Sequence, residues 1–301
     1  MGNDHDDLRV VLEDMGLQVP STPPADLGSP GRTKVWIVGD HVIKCDDRLN
    51  TFSMVRERDS LQFLEGTDLP VPRLLASGQF ADTRRWLVMT RLDGEAPPDA
   101  ERLAHDLSAG LARQLGTTIA RLHAVGAPPA FGTWTRVPPR SLVEEAQVRM
   151  DALFGMARDE AWIPEPEIAA LLGLMDTTLE TLTTVHTPVL AHRDVQPRNT
   201  LVVAGTLTGL LDFESAYGGD PCEDFRVIGL DWTTPAFAAF CDSYARAGGV
   251  LGPDAADRTA HHILSWALVV FAYVGRLPAY LEPARLAVAR IEAGERPSVP
   301  G

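Results

Sequence analysis

The stretch Leu190-Ala191-His192-Arg193-Asp194-Val195-Gln196-Pro197-Arg198-Asn199, continued by Leu201-Val202-Val203 and by Gly209-Leu210-Leu211-Asp212-Phe213-Glu214, decides how the chain reads. Short apolar runs on either side of Gly205 predict two strands joined at a tight turn, with Asp212 at the end of the second. Asp194 and Asn199 stand five residues apart in a loop, and Asp212 follows Asn199 by thirteen. A loop and a returning strand therefore carry two carboxylates and one amide to the same point.

Such a trio suits phosphoryl transfer, which asks a protein for a group that takes the acceptor hydroxyl's proton and for oxygen ligands that fix magnesium against the phosphates. Asp194 is the candidate catalytic base, and Asn199 and Asp212 are the candidate magnesium ligands. The competing reading is an ordinary Asp-rich turn; the agreement of three elements in order and spacing weighs against it. His192-Arg193-Asp194 with Asn199 is similar to the catalytic loop of the protein kinase superfamily, and Asp212-Phe213-Glu214 stands where that superfamily has its metal-binding Asp-Phe-Gly. The continuation through Gly219-Asp220-Pro221 to Asp224 resembles the aminoglycoside phosphotransferase family more closely. Arg193 departs from that family, which usually has Gly between the His and the Asp. The resemblance implies an α+β, bilobal protein-kinase-like fold with a small strand-rich N-lobe and a larger helical C-lobe. It also implies Mg2+ as cofactor and ATP or GTP as phosphoryl donor.

Upstream residues fit the same scheme. Val35-Trp36-Ile37-Val38 and His41-Val42-Ile43-Lys44 predict a hairpin around Gly39-Asp40, and Arg56 to Leu64 predicts a short amphipathic helix. In kinases a strand lysine binds the α- and β-phosphates and pairs with a helix glutamate. Lys44 and Glu57 match that pair, and the choice is narrow because the only other lysine is Lys34. Their plainer readings are a solvated strand end and an exposed charge cluster. Gly28-Ser29-Pro30-Gly31-Arg32-Thr33 lies where a phosphate-covering loop would sit, with Ser29 as its candidate contact, although it lacks both the P-loop and the dinucleotide glycine patterns. Met89 and Arg91, after the strand Trp86 to Met89, resemble the hinge that reads the nucleotide base through backbone groups. Asp220, Glu223 and Asp224 are read as ordering the catalytic loop or touching ammonium groups, Asp224 preferentially as structural. His123, His261 and His262 carry no assigned role.

Beyond Leu92-Asp93-Gly94 the apolar period turns helical. Leu103, Leu107, Leu111, Leu115, Ile119 and Leu122 share one face, and helical patterns recur over Ile168 to Leu182 and over 257 to 277, with a proline-rich loop from Pro128 to Arg140. The expected division is a nucleotide-binding lobe over 1–91 and a helical lobe with the catalytic loop and acceptor site over 92–301.

The chain has 301 residues and a net charge of −14, which disfavours nucleic acid and anionic lipid as partners. Residues 92–301 carry 27 acidic and 16 basic side chains, an excess that suits a cationic acceptor such as an aminoglycoside or a basic peptide antibiotic. Macrolide, choline and homoserine-like acceptors stay open, as does a non-catalytic pseudokinase, although the latter would predict loss of a base or metal ligand. Between Asp212 and Asp220 there is no room for the activation segment of a protein kinase. Three cysteines without metal-ligand spacing indicate reduced thiols. The polar Met1 to Leu8 lacks the features of a secretory signal, and the apolar run Ile263 to Gly275 is shorter than the roughly 20 residues of a membrane span, so a cytoplasmic protein is expected.

Overall fold

The computed structural model describes residues 4–22, 24–28, 33–46, 51–97, 107–134, 140–160, 162–275 and 277–300. The first part of the chain contains α1 (Asp4–Asp14), β1 (Thr33–Val38), β2 (His41–Asp46), α2 (Thr51–Phe63), β3 (Leu74–Gln79) and β4 (Arg85–Thr90). The second contains α3 (Ala109–His123), α4 (Leu142–Glu160), α5 (Glu165–Leu179), β5 (Val189–Ala191), β6 (Thr200–Val203), β7 (Thr206–Leu210), β8 (Tyr217–Gly219), α6 (Pro235–Arg246), α7 (Ala255–Ala272) and α8 (Leu281–Glu292). The architecture is the bilobal α+β one that the catalytic-loop motif implied.

The N-terminal sheet is antiparallel in the order β1-β2-β4-β3. Its two faces follow directly from the period of two along a strand. Trp36, Ile43, Cys45, Trp86 and Val88 are buried against Leu8, Val11 and Leu12 of α1. The alternate residues Val35, Ile37, Val42 and Lys44 line a cavity on the other face. That register is what aims Lys44 away from the α1 side, and a slip of one residue would exchange it with a buried neighbour. The β1–β2 hairpin turns at Gly39, whose φ of +57° is the left-handed conformation that glycine adopts without penalty.

Leu87 and Met89 of β4 and Met54 and Leu61 of α2 join the main core, which continues through α3, α6 and α7. Ser108 caps α3, its Oγ accepting from the Leu111 amide at 3.3 Å. The expected face of that helix is buried at Leu111, Leu115, Ile119 and Leu122, whereas its expected start at Leu103 lies outside the described residues. Between α3 and α6 the backbones touch at Gly116, where a Cβ would lie 2.3 Å from the Phe240 carbonyl oxygen. The apolar run after Ile263 belongs to α7, which is buried on nearly all sides. Among the described residues no helix is long and apolar enough to cross a membrane.

Candidate functional site

The β6–β7 hairpin returns the chain to the catalytic loop as its spacing predicted. Thr200 pairs with Leu210, and the Leu211 amide donates to the Asn199 carbonyl at 2.8 Å, which sets Asp212 beside Asn199. Asp212 then takes a left-handed conformation, φ 69° and ψ 67°. Lys44 Nζ donates to Glu57 Oε1 and Oε2 at 2.8 and 2.9 Å and to Asp212 Oδ1 at 2.9 Å. One ammonium thus links β2, α2 and the end of β7.

Lys44, Glu57, Asn199 and Asp212 all line a cavity of about 430 Å3 between the sheet and the β6–β7 hairpin. Burial opposes charge on each member of the lysine triad. The Asp212 and Glu57 carboxylates more than offset it at Lys44, whose pKa is raised. Burial similarly works against Asp212, yet the lysine charge and hydrogen bond hold its pKa below the ordinary value. At Glu57 burial wins, with Asp212 adding to it, and the pKa is raised.

Asp194 is joined to this group through Asn199, whose Nδ2 donates to Asp194 Oδ2 at 2.8 Å and to its backbone carbonyl at 2.9 Å. Gln196 Nε2 donates to the other carboxylate oxygen, and Tyr280 Oη donates to Gln196 Oε1 at 2.6 Å. Both Asp194 oxygens are therefore oriented by amides of the same loop, and one amide is itself held by the residue preceding α8. Sequence reading assigned nothing to Gln196 or Tyr280; a contact across 84 residues leaves no local signal.

The loop is braced from behind. Buried Asp224 accepts from the His192 amide at 2.9 Å and from the Arg193 amide, while His123 Nε2 lies 2.9 Å from its Oδ2 and His123 Nδ1 lies 2.9 Å from Tyr244 Oη. Burial would raise the Asp224 pKa, but the hydrogen bond and charge of His123, then the charge of His192 and the Arg193 amide, hold it down. This is the structural role read for Asp224, and it gives His123, left unassigned from sequence, a place in the same support. His192 Nε2 donates to the Leu211 carbonyl at 2.9 Å, tying the loop to the strand that delivers Asp212. Arg193 has a φ of +68°. Glycine would adopt that conformation freely, whereas an L side chain costs about 1–2 kcal/mol. The amide contacts from Asp224 hold it there.

Of the remaining sequence candidates, Met89 and Arg91 line the cavity, and so do Leu27, Gly28 and Thr33. The Arg91 amide donates to the Asp40 carbonyl at 2.8 Å, so that donor is already engaged. Ser29 lies outside the described residues. His262 Nε2 meets Asp220 Oδ2 at 2.9 Å and His261 Nδ1 meets Thr178 Oγ1 at 3.0 Å, both buried. Burial, with the neighbouring His262 adding to it, pushes the His261 pKa down to about 3.

A divalent cation fits the cavity on the chemistry of its donors. Magnesium binds protein through one or two carboxylates and completes its shell with water and phosphate oxygens. Asp212 has one oxygen committed to Lys44, and Asn199 uses its Nδ2 on Asp194, which leaves its amide oxygen available as a ligand. Among the described residues no group of three or more His, Cys, Asp or Glu is placed to hold a metal, so a cation there would depend on the nucleotide for further ligands.

The chain is 30% identical over 203 residues to the homoserine kinase of Rhodospirillum rubrum, covering 64% of this chain and 56% of that protein. It is 26% identical over 208 residues to the viomycin phosphotransferase of Streptomyces vinaceus, covering 65% of this chain and 69% of that protein. Among solved structures, the gentamicin complex of APH(2'')-IIa superposes with a TM-score of 0.67 at 17% identity, covering 96% of this chain and 97% of that one. The macrolide 2'-phosphotransferase MphH of Brachybacterium faecium gives a TM-score of 0.62 at 22% identity, covering 95% and 97%. These structures share the fold, and a family model described as the phosphotransferase enzyme family matches residues 46–262, a span that includes Lys44's partner Glu57, the whole catalytic loop and Asp212. The chain belongs to the phosphotransferase enzyme family.

Proposed function

We propose that the chain transfers the γ-phosphoryl group of ATP or GTP to a hydroxyl of a small molecule. The observation that carries this reading is the convergence of Lys44, Glu57, Asp212 and Asn199 on one cavity, with Asp194 hydrogen-bonded to Asn199. Asp194 takes the proton of the acceptor hydroxyl as the new O–P bond forms and the bond to the β-phosphate oxygen breaks. Lys44 holds the α- and β-phosphates, kept cationic and correctly placed by Glu57. Asn199 and Asp212 hold magnesium, which when bound neutralises charge developing on the transferring group. Met89 and Arg91 flank the base, and Ser29 covers the phosphates. Residues 1–91 form the nucleotide lobe and residues 92–301 the acceptor lobe, in a cytoplasmic enzyme.

The proposed acceptor is an aminoglycoside or aminocyclitol antibiotic, so that the activity would confer resistance. The acidic excess of residues 92–301 supports a cationic acceptor, as do relatives of the same fold crystallised with gentamicin or hygromycin B. A second reading, a basic peptide antibiotic or a homoserine-like metabolite, is favoured by the two sequence relatives. Nucleotide consumption measured over aminoglycosides, macrolides, peptide antibiotics, choline and homoserine tests both. Acceptor-dependent turnover with aminoglycosides is expected; turnover confined to another class would reassign the acceptor. Tight nucleotide binding without turnover on any hydroxyl would favour a pseudokinase. Asp212→Asn should weaken the magnesium dependence of nucleotide binding by about tenfold or more, the worth of one charge-assisted contact. Unaltered metal dependence in that variant would count against the ligand assignment.

A further inference from the structure

Behind the catalytic loop lies a second cavity, of about 360 Å3, into which four arginines project from four separate segments: Arg56 of α2, Arg149 of α4, Arg193 and Arg226. One carboxylate, Glu145, shares its lining, and Glu223 lies behind it in contact with Arg193. Glu223 is committed, accepting from Arg193 Nε at 2.6 Å and from Tyr217 Oη at 3.0 Å, with Arg149 at 3.9 Å. In a chain of net charge −14, this concentration of positive charge in one recess runs against the global balance.

The guanidinium groups are only partly used. Arg226 is 2% exposed and Arg193 6% exposed, so neither exchanges its protein contacts freely for water. Arg226 Nη2 donates to the Arg193 carbonyl at 2.6 Å, and Arg193 Nη1 donates to the Ser215 carbonyl at 3.1 Å. Among the described residues, Arg193 Nη2 and Arg226 Nε and Nη1 find no hydrogen-bond partner. A buried guanidinium nitrogen without an acceptor is costly, and a cluster of them facing one space is arranged for an acceptor that comes from outside. Burial, and after it the charge of Arg193, lowers the pKa of Arg56 and brings that of Arg226 down to about 10, whereas Tyr217 and Glu223 outweigh burial at Arg193 and raise its pKa.

Two aromatic rings support the guanidinium groups: Arg193 Cζ lies 3.8 Å from the Tyr217 ring centroid and Arg226 Cζ 5.1 Å from that of Trp266. Planar guanidinium forks recognise carboxylate and phosphate oxygens in pairs. The left-handed backbone of Arg193 adds to the case. A glycine would sit there without strain, and the residue that does sit there supplies the guanidinium joining the catalytic loop to this pocket.

We propose that this four-arginine recess is a binding site for an oxyanion, a phosphate or carboxylate group, separate from the nucleotide cavity. The anion seats between Arg149 and Arg56 at the mouth and takes the unpartnered nitrogens of Arg193 and Arg226 at the base. Because Arg193 immediately precedes Asp194, occupancy stiffens the loop that carries the proton acceptor.

Calorimetric titration of the full chain with inorganic phosphate, in saturating MgADP so that the nucleotide cavity is filled, tests the site without requiring phosphotransfer. Saturable binding in the wild type is expected, weakened about tenfold in Arg149→Gln and in Arg56→Gln, as loss of a charge-assisted contact implies. Affinity for MgADP should be unchanged in Arg149→Gln, a half-buried residue whose substitution removes no short hydrogen bond. If the anion is a group of the acceptor, phosphate will raise the acceptor KM competitively. If it is a free ion, phosphate will change kcat and leave that KM alone; either result supports the site. Absence of saturable phosphate or acetate binding, or binding that both substitutions leave untouched, would overturn it.

Discussion

Asp194 has each carboxylate oxygen turned toward an amide of its own loop, and this arrangement separates its position from its chemistry. Gln196 is aimed by the Tyr280 hydroxyl at 2.6 Å, so Tyr280 acts on Asp194 only through an intermediary. Tyr280→Phe should lower kcat several-fold, about the effect of releasing one hydrogen bond, while the nucleotide KM stays unchanged; an equal loss in both would point to general destabilisation. Glu223 carries a pH signature. Burial alone would raise its pKa, but Arg193, His262 and Arg226 bring it from 4.5 down to about 2. A carboxyl whose folded pKa is depressed contributes stability above its unfolded value and loses it as pH falls through the folded one. Stability should therefore decline from about pH 4.5 toward pH 2, by roughly 3 kcal/mol for this group. Glu223→Gln should flatten that part of the acid-unfolding curve measured by circular dichroism and lower stability at neutral pH. The grouping of the proposed site residues Asp194, Asn199 and Asp212 was legible because their spacing along a loop and hairpin is local. Of the residues that orient them, His123 and Tyr280 act from across the fold and Gln196 is held through Tyr280, with nothing in their immediate neighbours to announce it, whereas Asp224 already reads as structural.

At the level of elements, the strands and helices with a strong period were readable and those built on small or charged residues were not. The β1–β2 hairpin and β4 carry apolar runs that stand out against the turn residues beside them. Strand β3, Leu74-Leu75-Ala76-Ser77-Gly78-Gln79, does not, and its glycine is needed where a Cβ would lie 2.3 Å from the Trp86 ring. Helix α1 reads as an acidic tail, yet Leu8, Val11 and Leu12 close one face of the sheet. Helix α4 buries only Leu142, Met150, Leu153 and Ala157, too sparse a stripe to stand out. The helical pattern expected over 257–277 is α7, which ends at Ala272, before the turn that leads to Pro278 and the separate α8. The α3–α6 contact carries its own test. Gly116→Val should destabilise the fold by about 1–3 kcal/mol through overpacking against the Phe240 carbonyl, seen as a lower Tm; an unchanged Tm would mean the helices separate at little cost.

Across the whole molecule, a four-stranded sheet and a helical body share one buried core, with the lysine triad and the Asn199 amide facing the cavity between them. The fold was legible through the resemblance that this loop and Asp212-Phe213-Glu214 bear to a known family; the arginine recess was not, since its four members come from positions as far apart as Arg56 and Arg226. The central claim is that Asp194 serves the chemical step and not nucleotide binding. Replacing it with Asn and measuring acceptor-dependent turnover alongside nucleotide affinity separates the two. The account predicts a fall in kcat of about 10²–10⁴-fold with nucleotide affinity preserved. Wild-type turnover in the variant, or loss of nucleotide binding in step with turnover, would contradict it.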